Sequence, residues 1–376
     1  MKKQTIFFFV FGLLFSCSQK ATDDFGEVFS YSLDTLVIDS KDRNLDLSRN
    51  ITNASLNMEK NTIYLFNKFD HSIDEINLEK LEYVQSIPFD KEGPNGTSHI
   101  NYIYALEDDL FFIKGSVKSG VYDKDAKLLK SADWSKVNDG DDFQMIRNEL
   151  TLEYSDSMKV FGLPFNFDRS ISLDILSVNT HTKETIEIDS EKAYQNNILE
   201  FDDDGRYFFL DPMVYLTSEN GYAMVSHDFS NEIYIFNAAG EQVKKVSYEP
   251  TLTPKSVKQI DKKEIVSVAI LEKTYQGFLE QVKFSPPVWD QENKRYLRLS
   301  AQREYTDIKP ENAFLPQIKE TKVFLTVFDD DFNLVLEGEI PELVTESTKY
   351  FVKDGKLWVF ANLDDEMGFV RVSLGN

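Results

Sequence analysis

Side chains able to act as nucleophiles, acid–base groups or metal ligands are few in this sequence. One cysteine, Cys17, and four histidines, His71, His99, His181 and His227, are spread over 376 residues. No two histidines stand at a spacing that puts both on one metal, so each reads as a surface or turn residue. There is no Gly-x-Ser-x-Gly elbow, no His-Glu-x-x-His and no glycine-rich phosphate loop. Asp202-Asp203-Asp204-Gly205 and Asp329-Asp330-Asp331 offer the clustered carboxylates that calcium takes. Neither run has the ligand alternation of an EF-hand loop, and both read as hairpin turns. Among 64 acidic residues, a carboxylate pair suited to glycoside hydrolysis carries little information. The expectation is no metal and no cofactor, with enzymatic activity undecided and a binding role preferred.

One short pattern recurs. Phe69-Asp70-His71-Ser72-Ile73 and Phe167-Asp168-Arg169-Ser170-Ile171 agree at four of five positions, and His227-Asp228-Phe229-Ser230-Asn231 follows a related plan. The Asp and Ser side chains cap tight turns through their own backbone. A turn has no such need of His71, Arg169 or His227. With His99, beside the Gly93 to Gly96 turn, they form a candidate ligand-binding set on one face, suited to an anionic or sugar ligand.

The elements that would position this set are strands. Alternating runs rich in Val, Ile, Phe and Tyr recur throughout, among them Thr62 to Phe66, Leu110 to Lys114, Gly221 to Ser226, Tyr296 to Ser300 and Lys356 to Phe360. Ile76-Asn77, Tyr122-Asp123, Val178-Asn179, Phe236-Asn237 and Phe328-Asp329 each end an apolar run at a turn residue and precede a second run. Their Asn and Asp anchors are spaced by 46, 56, 58 and 92 residues. The first three spacings suit one four-stranded propeller blade each, and the last suits a blade plus an insertion. Residues 255–282, after Pro254, carry apolar positions at three- and four-residue steps and predict a helical insertion. The prediction is an all-β, six-bladed β-propeller. Lys349 to Leu374 gives three strands of the last blade, and Glu27 to Ile38 supplies its fourth and closes the ring. A seven-bladed ring or a pair of β-sandwiches is the alternative.

Lys2 and Lys3, the apolar run Ile6 to Phe15, and Leu14-Phe15-Ser16-Cys17 read as an export signal ending in a lipobox-like motif. The run is too short to span a bilayer, which takes about 20 apolar residues in a helix. Residues 1–16 are thus expected to be a removed signal peptide, Cys17 the lipidated residue, 17–26 a tether and 27–376 one propeller domain. Removing 1–16 shifts the formal charge from −23 to −25, because only Lys2 and Lys3 are lost. So acidic a surface makes nucleic acid an unsuitable partner. With one cysteine there is no disulfide framework.

Phe89-Asp90-Lys91-Glu92-Gly93-Pro94-Asn95-Gly96, and Phe284-Ser285-Pro286-Pro287-Val288-Trp289-Asp290 followed by Arg295-Tyr296-Leu297-Arg298, resemble segments of the Bacteroidota lipoprotein family of domain of unknown function 4221. The resemblance implies a six-bladed propeller-like fold and a cell-envelope location, and implies no activity. Independently of it, Pro94 and Asn95-Gly96 predict a tight turn with positive φ at Asn-Gly. The functional expectation is an envelope-anchored lipoprotein, outer-membrane and periplasmic or surface-facing. It would bind an unknown protein, glycan or small anionic ligand, and meet the membrane through its N-terminal lipid. A hydrolase or lyase on the same scaffold and a structural envelope component are the alternatives.

Overall fold

The structure, a computed structural model, describes residues 19–22, 28–140, 145–189, 192–261, 265–344 and 348–375. Cys17 and the signal segment lie outside the described residues. So does most of the tether, of which Gln19–Thr22 pairs antiparallel with Val28–Tyr31.

Six antiparallel sheets stand around an axis as propeller blades. The first blade shows why the sequence folds this way. Its second strand, Thr62–Asn67, is buried along its whole length, and side chains on a strand alternate between its two faces. Ile63 and Leu65 pack with Trp358, Phe360 and Phe369 of the last blade. Tyr64 and Phe66 pack with Ile103, Phe111 and Ile113 of the second blade. Each blade is therefore apolar on both faces, and a ring is the arrangement that covers both.

The first blade is built from Ser55–Leu56, Thr62–Asn67, Ser72–Asn77 and Glu82–Pro88. The second runs from Ile100–Ala105 to Leu128–Ala132, the third from Ile146–Leu150 to Thr182–Glu187, the fourth from Val214–Glu219 to Gln242–Val246, and the fifth from Lys283–Phe284 to Leu334–Glu339. All five anchors fall at the end of a third strand or within two residues past it. Asn77 Oδ1 accepts the N–H groups of Glu79 and Lys80, Asp123 Oδ1 those of Asp125 and Lys127, and Asp329 Oδ1 those of Asp331 and Asn333. The turn chemistry thus sits where the chain reverses into the outermost strand.

The last blade takes Tyr350–Lys353, Lys356–Leu363 and Glu366–Leu374 from the C-terminus and Val28–Val37 from the N-terminus. Seven residue pairs, from Tyr31 opposite Leu374 to Val37 opposite Gly368, close the ring as the sequence predicts. Phe29 lies against Gly338 of the fifth blade so closely that a Cβ there would sit 2.0 Å from its ring.

The helical insertion predicted near residues 255–282 is present as the helix Val268–Leu279, which Ser267 caps by accepting the Ile270 N–H. Upstream of it, the backbone at Lys255 and Ser256 pairs with Asn231 and Ser230 of the fourth blade. One local prediction is corrected. In the Gly93 to Gly96 turn, the positive φ is at Gly93, at 90°, and neither Asn95 nor Gly96 takes it. Gly96 donates back to the Gly93 carbonyl, which puts the left-handed residue at the start of the turn.

Candidate functional site

One end of the ring carries the turns between second and third strands and the links between blades; we term it the loop face. The opposite end is crossed by Lys60, from a turn of the first blade. Its Nζ donates to Glu219 Oε2 of the fourth blade at 3.1 Å and to the Trp289 carbonyl of the fifth at 2.9 Å.

Insertions gather on the loop face. Between the third and fourth blades the chain forms a short helix, Ala193–Asn197, and a hairpin, Leu199–Asp203 with Arg206–Leu210. The hairpin reverses at Asp204-Gly205, so the first acidic run is a turn, with Asp202 Oδ1 accepting the Gly205 N–H. Leu271 and Phe278 of the insertion helix share a core with Leu199, against which Phe201 and Phe208 pack. Phe314, from the long turn of the fifth blade, stacks on Phe208 with centroids 6.2 Å apart.

His71, Arg169 and His227 all lie in or beside second-to-third-strand turns, and His99 precedes the innermost strand of the second blade, so the four share the loop face. They do not form one cluster. His71 and His99 meet edge-on at the ring of Phe66. His71 is only 4% exposed, and its Nε2 is 2.9 Å from Thr97 Oγ1. Burial, with the charges of Lys91 and His99, holds its imidazole below the usual histidine range. His227, 2% exposed, stacks on Phe229 with centroids 4.0 Å apart and places Nδ1 3.2 Å from Ser230 Oγ. Burial, helped by the charge of Arg298, pushes its pKa down to about 3. Both rings are therefore neutral packing groups at pH 7, with at least one nitrogen in use.

Arg169 differs. Its φ of 63° follows the Asp168 cap, whose carboxylate accepts the Ser170 N–H and O–H, and its side chain turns toward a cleft of about 140 Å³ between the third and fourth blades. A second arginine, Arg147, faces the same cleft from the innermost strand of the third blade. The two guanidinium groups lie over one ring, Phe165, at 5.1 and 4.6 Å, and Arg169 also lies 4.4 Å from the centroid of Phe209 in the hairpin. Aromatic stacking of this kind fixes the plane of a guanidinium while leaving its edge for hydrogen bonds.

Acidic partners come from the inserted segment. Arg169 Nη2 is 3.4 Å from Glu200, and Arg147 Nη1 is 3.2 Å from both Asp211 Oδ2 and the Tyr194 hydroxyl. Tyr194 donates to the same Asp211 oxygen at 2.7 Å; burial and then that carboxylate push its hydroxyl up to about 12. Tyr194 is set in place by Asp189, which accepts the N–H groups of Ala193 and Tyr194. Arg147, Tyr194 and Asp211 were not singled out from the sequence. Arg147 carries a usable signal, since it stands at the start of an innermost strand, as His99 nearly does. The insertion that brings the other two carries none, because its hairpin resembles any other in the repeat.

Asp228 is buried beneath the same region, where its Oδ1 accepts the Met213 N–H and its Oδ2 is 3.8 Å from Lys283 Nζ. Burial pushes its pKa up to about 6 against the pull of Lys283. Among the described residues, no group of three or more His, Cys, Asp or Glu is placed to hold a metal, and no helix is long and apolar enough to cross a membrane.

The fold and cleft define a six-bladed β-propeller whose loop face is built up by insertions around a cationic, aromatic pocket. Residues 27–339 match the model of the domain of unknown function 4221 family, and the chain belongs to that family. A crystal structure of a member of the same family from Bacteroides vulgatus is similar at TM-score 0.60 and 11% identity, over 95% of this chain and 98% of that one. A Bacteroides fragilis protein described as exported is similar at TM-score 0.48 and 9% identity, over 92% and 96%. The Cps50 (Swd1) propeller domain of Myceliophteria thermophila follows at TM-score 0.41 and 7% identity, over 90% and 99%. No curated protein matches the chain.

Proposed function

We propose that the protein is a lipid-anchored envelope lipoprotein that binds a ligand in the loop-face cleft between its third and fourth blades. The observation that carries the site is the pair of guanidinium groups that line the cavity and are both held over Phe165. Two ordered cations on so acidic a chain are a poor arrangement for packing alone and a good one for recognition. Asp211, the carboxylate of the cleft, is engaged by Tyr194 and Arg147, which favours holding a ligand over proton transfer.

Arg147→Ala and Arg169→Ala are each expected to reduce capture of envelope material or arrayed glycans at least tenfold, with melting temperature changed by only a few degrees. Undiminished capture by both variants would remove the cleft as the site. The sequence supports the anchor through Ser16-Cys17 and the short apolar run before it. Cys17→Ala should incorporate no radiolabelled palmitate, and labelling at the wild-type level would refute lipidation there.

A further inference from the structure

We infer that the cleft takes a ring-sized, hydroxylated carboxylate, of the kind presented by the end residue of a uronic acid chain. The inference deepens the loop-face binding reading and rests on it.

Three features point to this class. The first is charge and shape. Arg147 engages its two protein partners through Nη1 alone, and Arg169 makes a single 3.4 Å ion-pair contact through Nη2. A guanidinium has five N–H donors in a planar fork, so each keeps donors for a ligand. Their side chains are 39% and 28% exposed, which leaves them reachable. A planar carboxylate is the acceptor that such forks bind in pairs of parallel hydrogen bonds.

The second is size. A cavity of about 140 Å³ is close to the roughly 150 Å³ that admits one benzene-sized ring. Tyr102, Leu163 and Ile171 line it as well, giving a ring apolar surface to lie on.

The third is Asp211. Its Oδ2 accepts from Tyr194 and Arg147, while none of the described residues donates to its Oδ1. A carboxylate beside the arginines repels a compact multivalent anion such as phosphate, yet accepts a hydrogen bond from a hydroxyl. An acid carrying hydroxyl groups satisfies both the forks and this acceptor, which neither a neutral sugar nor a bare anion does.

The test is isothermal titration of the detergent-solubilised full chain with trigalacturonate, maltotriose and inorganic phosphate. Trigalacturonate is expected to bind at least tenfold more tightly than either other probe, and Arg169→Gln to weaken it at least tenfold with an unchanged circular dichroism spectrum. Equal binding of maltotriose or phosphate, no binding of trigalacturonate, or unaffected binding by Arg169→Gln would each overturn the inference. If envelope material is lost from the Arg147→Ala and Arg169→Ala variants while trigalacturonate fails to bind the wild type, the cleft stands and the carboxylated sugar falls.

Discussion

A chain beginning at residue 39 is expected to be recovered as aggregate, whereas one beginning at residue 27 is expected to be soluble and folded. The shorter chain lacks Val28–Val37, the outer strand of the last blade, and so exposes the edge of Glu366–Leu374. It also loses the buried side chains of Phe29, Tyr31 and Ile38 from two interblade cores. Each contributes about 1.5–3 kcal/mol by burial. The double hydrogen bond of Arg371 to Asp34 and the Tyr31 hydroxyl's bond to Glu342 go as well. Together these losses approach the ~5–15 kcal/mol that a domain has in hand. The bare strand edge then offers a template for association between chains. Comparing the soluble fractions and melting temperatures of the two chains checks this; equal solubility and melting would show that the ring holds without its closing strand.

Arg298→Met is expected to destabilise the protein by about 3–6 kcal/mol, the loss of two hydrogen bonds from a charged donor at about 1.5–3 kcal/mol each. Arg298 is 1% exposed and lies over Phe284 at 4.9 Å. Its Nε donates to the Ser285 carbonyl and its Nη1 to the Asn231 carbonyl, both at 2.7 Å, so one guanidinium ties the fourth blade to the fifth. Methionine fills most of the volume but removes the guanidinium donor from the buried Asn231 carbonyl and from the half-buried Ser285 carbonyl, and loss of a donor at a buried carbonyl costs about 1–3 kcal/mol. Arg298→Lys should recover little, because an ammonium cannot present the fork that reaches both oxygens. Urea denaturation of the three proteins measures the effect, and a midpoint unchanged in Arg298→Met would show that the guanidinium does not join the blades.

These residues mark what the sequence could and could not reveal. Strands were legible because alternation is local, and the blade repeat was legible because Asn77, Asp123 and Asp329 cap the turns in which they themselves stand. Closure by the N-terminal strand followed from counting: three strands in the last blade require a fourth. Arg298 lay within a segment that resembles the family, yet its role depends on carbonyls 13 and 67 residues away. The candidate site was legible only in part for the same reason. The repeated Asp-x-Ser turn located Arg169 on the loop face, but the pattern could not distinguish a side chain facing a cleft from His71 and His227, which turn inward. Arg147, Tyr194 and Asp211 join Arg169 through an inserted helix and hairpin whose docking is tertiary.

The loop-face site is tested most directly by photo-crosslinking in cells, with benzoylphenylalanine at position 167 or 154. Phe167 is 92% exposed and is next in the chain to Asn166, which lines the cleft, and Tyr154 is 44% exposed in a turn of the same blade on the opposite face. Adducts are expected from position 167 and not from 154, and are expected to disappear from 167 when Arg147 and Arg169 are both replaced by alanine. Adducts from 154 with none from 167, or adducts at 167 that survive the double replacement, would contradict a ligand site in this cleft.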